Sequence, residues 1–457
     1  MKIKTIIHNT IIFSGEGRIH GYVAIDSDGF IAEVGQGDVP QELASDTDDC
    51  IDAAGAWLLP GVIDEHVHFR DPGLTHKADI ASESLAAAAG GVTSVMDMPN
   101  TRPATVSLEA WRQKTEIARK SSAVNYAAWI GATADNFNEL AGADYSKIPG
   151  VKIFAGTSTG NMAVGGDELF RKIFTEIPAL KAVHSEDDAI IARNAREACS
   201  RYGGESLVPV EEHPQIRSRQ ACLECTRHLV ELQHATDTRL QVMHISTADE
   251  LDYFTSGPAD SKRLTAETCV QYLWWSDSDY TALGAKIKCN PAIKSAADRE
   301  ALRQAVRNGV IDVIATDHAP HLPQDKVGGA LTAASGIPLI QFSLPMMLEL
   351  CHAGVFDVET VVEKMCHAPA RIFGIDRRGF INKGMHADLT LVSDGTGEPY
   401  TVTANDVISK CGWTPLEGTK LHHRVLSTWV NGSLVWDGKQ AFLTGKAQAL
   451  EFKTDNL

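Results

Sequence analysis

Short apolar runs alternate with helical segments through the middle of the chain, and this alternation limits the fold more than any other feature. Eight runs have the length and composition of buried strands: 61–68, 92–98, 124–130, 151–154, 180–184, 240–244, 264–270 and 311–316. Helices are predicted between some of them, at 78–89, 108–120, 223–233 and 298–308, which gives a period of about 36 residues. Eight such units predict an α/β fold built on a closed parallel (β/α)8 barrel.

The two ends of the chain have a different texture from the middle. Strand-like runs separated by turn residues occur at 5–13, 22–26 and 31–35, and they return at 387–392 and 425–436. In the last run, Asn431-Gly432 separates two apolar stretches in the manner of a hairpin turn. We therefore predict a small β-sandwich domain made of residues 1–56 and 377–457, with the barrel formed by residues 57–376.

Composition excludes several classes of partner. The formal net charge of -17 repels polyanions, and no Lys/Arg run is present that could follow a phosphate backbone, so nucleic acid is not expected as a partner. No stretch reaches the roughly 20 apolar residues of a membrane helix, and residues 1–10 lack the apolar core of a signal peptide. Nine scattered cysteines favour reduced thiols over a disulfide framework. We expect a cytoplasmic enzyme that acts on a small molecule.

Metal-ligating residue types occupy the carboxyl ends of the predicted strands, where parallel barrels have their active sites. The first strand ends in His66-Val-His68-Phe-Arg70, and the two-residue period of a strand puts these three side chains on one face. Further candidates lie on the fourth, fifth, sixth and eighth strands: Lys152, His184, His244 and Asp317. One histidine at a strand end is usually a satisfied polar residue, but four imidazoles and a carboxylate together suit zinc or a similar divalent ion.

This order of residues on strands one, four, five, six and eight resembles the ligand pattern of the amidohydrolase superfamily, and the resemblance covers essentially the whole chain. It implies two divalent metal ions, zinc by ligand type, at His66, His68, Lys152, His184, His244 and Asp317. In that superfamily the lysine carries CO2 as a carbamate that bridges the metals, which supplies two anionic oxygens where an ammonium could not bind a cation. The alternative for Lys152 is an ordinary surface or salt-bridged lysine.

The resemblance also implies a reaction, the hydrolysis of an amide or imide. Two bridged metal ions lower the pKa of a shared water and polarise the substrate carbonyl. Asp317 is then expected to take a proton from the attacking water and to deliver it to the departing ring nitrogen. The alternative for Asp317 is a purely structural role as a metal ligand.

Residues beside the ligands indicate the substrate class. The segments His66-Val-His-Phe-Arg-Asp-Pro-Gly73 and Met98-Pro-Asn-Thr101 closely resemble dihydroorotases. In that family the residues matching Arg70 and Asn100 bind the ring carboxylate of dihydroorotate, and the resemblance places Asn290 and His321 on the substrate as well. A planar guanidinium can hold a carboxylate through two parallel hydrogen bonds. The implied reaction is the reversible conversion of (S)-dihydroorotate to N-carbamoyl-L-aspartate in pyrimidine biosynthesis.

Two related activities and one non-enzymatic role remain as alternatives. Hydantoinases act on rings without a carboxylate and generally lack the arginine, while allantoinases tend to carry a different residue at the position of Asn100. Many long bacterial dihydroorotases lack the strand-four lysine, so Lys152 departs from their pattern. A non-catalytic scaffold would lose metal ligands, which this chain keeps. The sequence leaves open whether the chain forms a homodimer or a larger homo-oligomer, and whether it associates with aspartate carbamoyltransferase.

Overall fold

The structure, a computed structural model, describes residues 2–15, 17–45, 47–155 and 167–454. Its centre is a ring of eight parallel strands, the third of which is interrupted at Trp129. A hydrogen bond of 2.7 Å from the His68 amide to the His318 carbonyl joins the first strand to the segment after the eighth, which closes the ring. The strands are Val62–Val67, Val92–Asp97, Asn125–Ala128 with Ile130–Gly131, Val151–Ala155, Lys181–Ser185, Leu240–Val242, Leu264–Cys269 and Val313–Ala315.

Helices cover the outside of this ring, and the longer ones begin where a side chain caps the first turn. Asp79 and Ser295 each form a capping box with the residue three positions later. Among the described helices, none is long and apolar enough to cross a membrane. The barrel helices are Ile80–Ala89, Leu108–Ser121, Phe137–Ala141, Asp167–Glu176, Asp188–Tyr202, His213–Ile216, Arg219–Thr236, Val270–Trp274, Tyr280–Leu283, Ala296–Arg307, Ser343–His352, Val358–Val362 and Ala368–Ile372.

The four predicted helices are all present, with ends that differ by a few residues, and the prediction of eight strands is confirmed. Sequence analysis missed the helix Asp188–Tyr202, whose packed face consists mostly of small or partly buried residues: Ile191, Ala195, Ala198, Cys199 and Tyr202. The sixth strand ends at Val242, two residues before the predicted end at His244, since the backbone of His244 is left-handed.

Both chain ends contribute to one eight-stranded sheet, so the fold class is the predicted one, a TIM barrel with a β-rich module. In the last hairpin, Asn431 and Gly432 have φ values of 48° and 69°, the positive angles that a two-residue turn requires. The sheet includes Trp57–Pro60, which the predicted boundary at residue 56 places with the barrel. Its strands are Ile3–Ser14, Gly17–Asp26, Ile31–Gln36, Thr47–Asp52, Trp57–Pro60, Leu389–Val392, Val425–Val430 and Ser433–Trp436; a helix, Gln41–Ser45, and a separate strand pair, Tyr400–Thr401 with Lys420–Leu421, complete the module.

A buried network of hydrogen bonds and one ion pair connects the β-rich module to the barrel. Asp388 forms a salt bridge with Arg378 and accepts hydrogen bonds from the Asn125 side chain at 3.0 Å and from the Asn431 amide at 2.8 Å. Arg378 also donates to the side chains of Asn431, at 2.7 Å, and Gln448, at 2.9 Å. Asn125 belongs to the third barrel strand, so the network connects the two parts of the protein, and all of its members except the exposed Gln448 are almost fully buried.

The substitution Asp388→Asn is expected to lower the free energy of unfolding by about 3–5 kcal/mol, because it leaves the buried Arg378 without a counter-charge. Urea denaturation followed by circular dichroism measures the change. The matched control is Asp376→Asn, which breaks the exposed pair with Arg377 and should cost about 0–1 kcal/mol. Equal effects of the two substitutions would contradict the role given to the buried network.

Candidate metal centre

A cavity of about 440 Å³ opens at the carboxyl ends of the barrel strands. All ten residues that the sequence predicts for metal or substrate binding line it, so the structure brings them together, while each individual role remains a prediction. The predicted residues on its wall are His66, His68, Arg70, Asn100, Lys152, His184, His244, Asn290, Asp317 and His321. The cavity also exposes Phe154, Arg217, Ala319, Ala334, Ser335 and Gly336.

One group of ligand atoms gathers around Asp317. Its Oδ1 lies 2.9 Å from His68 Nε2 and 3.3 Å from His66 Nε2. These atoms all lie within 4.8 Å of one another, close enough to share one ion. Burial keeps the pKa of His66 well below its usual value, so its ring is neutral and can offer a lone pair to a cation.

A second group of candidate ligand atoms lies on the fourth and fifth strands and just beyond the end of the sixth. His184 Nδ1 is 2.9 Å from His244 Nε2, and the buried Nδ1 of His244 has no hydrogen-bond partner in the part of the chain that the structure describes. The Lys152 side chain is buried, and its Nζ contacts the thioether sulfur of Met243 at 2.8 Å. Burial lowers the pKa of Lys152 to about 8 and that of His244 far below its usual value. The neutral His244 imidazole fits a divalent cation, which would satisfy its Nδ1.

The backbone is strained at three cavity residues. Arg70, His244 and Asp317 have φ values of 67°, 45° and 49°, in the left-handed region that side chains with a Cβ rarely adopt. Such a conformation costs about 1–3 kcal/mol per residue and persists where the surrounding structure enforces it. At His244 and Asp317 it turns the chain sharply beyond the strand and directs the side chain into the cavity.

Glu267 is a site residue that sequence analysis missed. It lies on the seventh strand, fully buried, with its Oε1 2.9 Å from His66 Nδ1 and 3.0 Å from the His244 amide. Burial raises its pKa to about 8. A contact of this kind fixes the orientation of an imidazole so that the other nitrogen faces a metal. The available signal was a glutamate inside an otherwise apolar strand-like run.

Glu186, also missed, has the same relation to His184. Its Oε2 is 3.0 Å from His184 Nε2 and forms a salt bridge with Arg217, whose side chain lines the cavity. Burial would raise the pKa of Glu186, but Arg217, His184 and Lys294 together lower it to about 2. The carboxylate is therefore ionised. Its position two residues after a strand-end histidine was the one sequence signal.

Asn100 has a contact that the sequence did not reveal. Its Oδ1 lies 2.7 Å from His68 Nδ1, which holds the His68 ring with Nε2 toward Asp317. The amide nitrogen of Asn100 takes no part in this contact and remains available to a ligand. Asn100 can thus orient a metal ligand and donate a hydrogen bond to a bound molecule at the same time.

Arg70 and His321 line another part of the cavity wall, beside the candidate metal ligands. Burial and the nearby cations Arg70, Lys77 and Lys326 lower the pKa of His321 to about 2, so the ring is neutral. Lys77 Nζ lies 2.9 Å from Nδ1, and an ammonium has only donors, so the ring proton sits on Nε2 and is donated to the Ser335 carbonyl at 3.0 Å. Nε2 therefore cannot accept a hydrogen bond from Arg70, although Nη2 lies 3.2 Å away.

The Arg70 guanidinium therefore has more N–H donors than hydrogen-bond acceptors around it. Its Nε donates to the Pro320 carbonyl at 3.1 Å, and among the described residues no carboxylate forms a salt bridge with it. Burial lowers its pKa to about 10, which still leaves it charged at neutral pH. On the same cavity wall, the buried Oδ1 of Asn290 has no hydrogen-bond partner within residues 2–15, 17–45, 47–155 and 167–454. The carboxylates of Asp317 and Asp97 act on Arg70 from a distance, but a buried guanidinium on a cavity wall that has no salt-bridge partner among the described residues can bind an anionic group.

Comparison with known proteins identifies the family to which the chain belongs. The sequence model described as dihydro-orotase-like matches residues 55–206, and that of the amidohydrolase family matches residues 211–435. A dihydroorotase of Halobacterium salinarum is 35% identical over 385 residues, covering 83% of this chain and 86% of the relative. An allantoinase of Bacillus velezensis is 31% identical over 415 residues, covering 90% and 89%.

The fold is also that of a solved enzyme. The L-hydantoinase from Arthrobacter aurescens superposes with a TM-score of 0.89 at 26% identity, covering 98% of this chain and 100% of that one. The relatives carry three different names, dihydroorotase, allantoinase and hydantoinase, within one family of barrel hydrolases. The chain belongs to the dihydroorotase-like members of the amidohydrolase family and is a hydrolase that acts on cyclic amides.

Proposed function

We propose that the protein is a dihydroorotase, which hydrolyses (S)-dihydroorotate reversibly to N-carbamoyl-L-aspartate in de novo pyrimidine biosynthesis. The observation that carries this proposal is the buried guanidinium of Arg70 on the cavity wall, which has no carboxylate partner among the described residues. Dihydroorotate has a ring carboxylate that would supply the missing charge, whereas the hydantoin ring has none. Arg70 and the amide nitrogen of Asn100 would bind this carboxylate.

The second candidate is a hydantoinase-type or allantoinase-type activity. Relatives with these names cover as much of the chain as the dihydroorotases do, so the barrel and its ligands alone do not choose between the substrates. The proposal for dihydroorotate therefore depends on Arg70 and Asn100 rather than on the metal centre.

We infer that the cavity holds two divalent ions, zinc by ligand type, at His66, His68, Lys152, His184, His244 and Asp317. Bound there, such ions polarise an amide carbonyl and make a water molecule more acidic. The low pKa of Lys152 leaves an appreciable fraction of its amine uncharged near neutral pH. The uncharged amine can add to CO2 to give a carbamate with release of one proton, which would turn Lys152 into an anionic ligand.

Asp317 is proposed to transfer a proton from the attacking water to the departing ring nitrogen. Burial would raise its pKa, but His66, His68 and Lys152 together lower it, so the carboxylate is ionised and can accept a proton. Since Oδ1 faces the two histidines, Oδ2 is the oxygen that would accept a proton from the attacking water. The water oxygen bonds to the carbonyl carbon, the C–N bond breaks, and Asp317 passes the proton to the ring nitrogen.

The substitution Asp317→Asn should retain bound metal through the remaining ligands but lower kcat by about 10²- to 10⁴-fold, because the amide cannot accept the proton. Metal analysis by inductively coupled plasma mass spectrometry and steady-state kinetics on the same sample measure the two effects. Near-normal turnover would remove Asp317 from proton transfer.

The substitution Lys152→Met should lower the metal content of the purified protein below two ions per chain and abolish most of the activity. The matched control is Lys181→Met, since Lys181 is equally buried on the neighbouring fifth strand but donates to the Ile177 carbonyl and the Thr238 hydroxyl and does not line the cavity. Metal content unchanged in Lys152→Met relative to the control would show that Lys152 is not a ligand.

The substitution Arg70→Gln tests the substrate. For dihydroorotate it should lower kcat/KM roughly 10- to 100-fold, the loss expected for charge-assisted hydrogen bonds, while any slower opening of hydantoin, which has no carboxylate, should be unchanged. Ring opening is followed by ultraviolet absorbance for each substrate. If the metal-loaded wild-type protein opens hydantoin or allantoin but not dihydroorotate, the proposed function is wrong.

A further inference from the structure

Two buried lysines, Lys288 and Lys326, contact the segment 333–336, of which residues 334–336 form part of the cavity wall. The Lys326 ammonium donates to three main-chain carbonyls, those of Ala334 and Gly336 at 2.8 Å each and that of Lys288 at 3.0 Å. The carbonyl of Lys288 in turn accepts the Gly336 amide at 2.8 Å. The Lys288 ammonium donates to the carbonyl of residue 333. Both lysines therefore bind this segment through its backbone.

The burial of Lys326 is costly for stability. Only 8% of its surface is exposed, and among the described residues no carboxylate forms a salt bridge with it. Burial lowers the pKa of Lys326 to about 7 and that of Lys288 to about 8. A hydrocarbon side chain would fill the same volume without desolvating a charge. What the amino group adds is hydrogen-bond donors, three in its charged form and two when neutral, and its three acceptors are all backbone oxygens.

On its cavity side the same segment is also restrained by contacts with residues 319–321. The Ser335 carbonyl accepts the hydrogen bond from His321 Nε2 at 3.0 Å. Gly336 has a φ of 143°, and a Cβ there would lie 2.5 Å from the Ala319 carbonyl oxygen. The segment is thus enclosed between the lysines on one side and residues 319–321 on the other. It has no room to shift while its lysine contacts are intact.

We propose that Lys326 is a positioning residue for the cyclic substrate, because it holds the carbonyls of Ala334 and Gly336 so that the peptide group between them, that of Ser335, faces the ring. The Ser335 amide has no hydrogen-bond partner among the described residues, whereas the Ala334 and Gly336 amides are bonded to the carbonyls of Asp325 and Lys288. The inference rests on the proposed function only in taking a cyclic amide as the ligand. A cyclic amide presents N–H and C=O groups along its ring edge, and peptide groups bind such an edge when they are held in place. Lys326 itself would not touch the substrate.

The substitution Lys326→Met removes all three donors and keeps most of the side-chain volume. The matched control is Lys181→Met, because Lys181 is also buried, also donates to a main-chain carbonyl, that of Ile177, and does not line the cavity. Steady-state kinetics on the cyclic amide that wild type opens fastest are compared with metal content, thermal unfolding and hydrogen–deuterium exchange. The conservative variant Lys326→Arg keeps the charge and several donors.

Lys326→Met should raise KM on the order of tenfold with a smaller change in kcat, retain its metal, and exchange amide hydrogens faster in peptides that cover residues 333–337. Lys181→Met should lose comparable thermal stability without a change in KM or in exchange at that segment. Lys326→Arg should recover part of the KM. An unchanged KM and unchanged local exchange in Lys326→Met would overturn the proposal.

Two further results separate a folding defect and a wrong substrate assignment from the role proposed for Lys326. If Lys326→Met does not fold, Lys326→Gln and Lys326→Arg provide the same comparison, and a KM equal to wild type in both would overturn the proposal. If wild type opens hydantoin but not dihydroorotate, the proposed function fails, while the KM ratio measured with hydantoin still decides the role of Lys326.

Discussion

The site depends on the closure of the barrel between its first strand and the segment after its eighth. The hydrogen bond from the His68 amide to the His318 carbonyl, 2.7 Å long, joins these two parts of the chain, which are about 250 residues apart in sequence. It places His66 and His68 beside Asp317 and so creates the first group of ligand atoms. Closure also sets the left-handed turn at Asp317, because His318 pairs on both sides.

The cavity concentrates buried groups that a protein interior normally excludes. Neutral imidazoles, a lysine with a lowered pKa and ionised carboxylates line this cavity together with the Arg70 guanidinium. Among the described residues, no carboxylate forms a salt bridge with that guanidinium. Each is costly alone. Together they are consistent with two adjacent sites. One offers nitrogen and oxygen ligands to cations, and the other offers the positive charge of Arg70 to an anion. A cyclic amide with a carboxylate is a ligand that would engage both.

The sequence predicts the barrel and the convergence of its ligands, because parallel strands all end at one face and side chains alternate along each strand. It does not predict Glu267 or Glu186, since their importance arises from contacts between different strands and loops. It also gives no sign that Lys288 and Lys326 are buried, because lysines in loops are usually exposed. The strand ends at His244 and Asp317 were misplaced slightly, because a left-handed residue at a functional position has no apolar pattern to mark it.

The most direct test of the account is a crystal structure of the metal-loaded protein with bound dihydroorotate, collected at the absorption edge of the metal. The account predicts anomalous density among His66, His68, His184, His244 and Asp317. It also predicts that the ring carboxylate lies within hydrogen-bond distance of Arg70 and the Asn100 amide nitrogen. Metal density elsewhere, or a carboxylate that points away from Arg70, would contradict it.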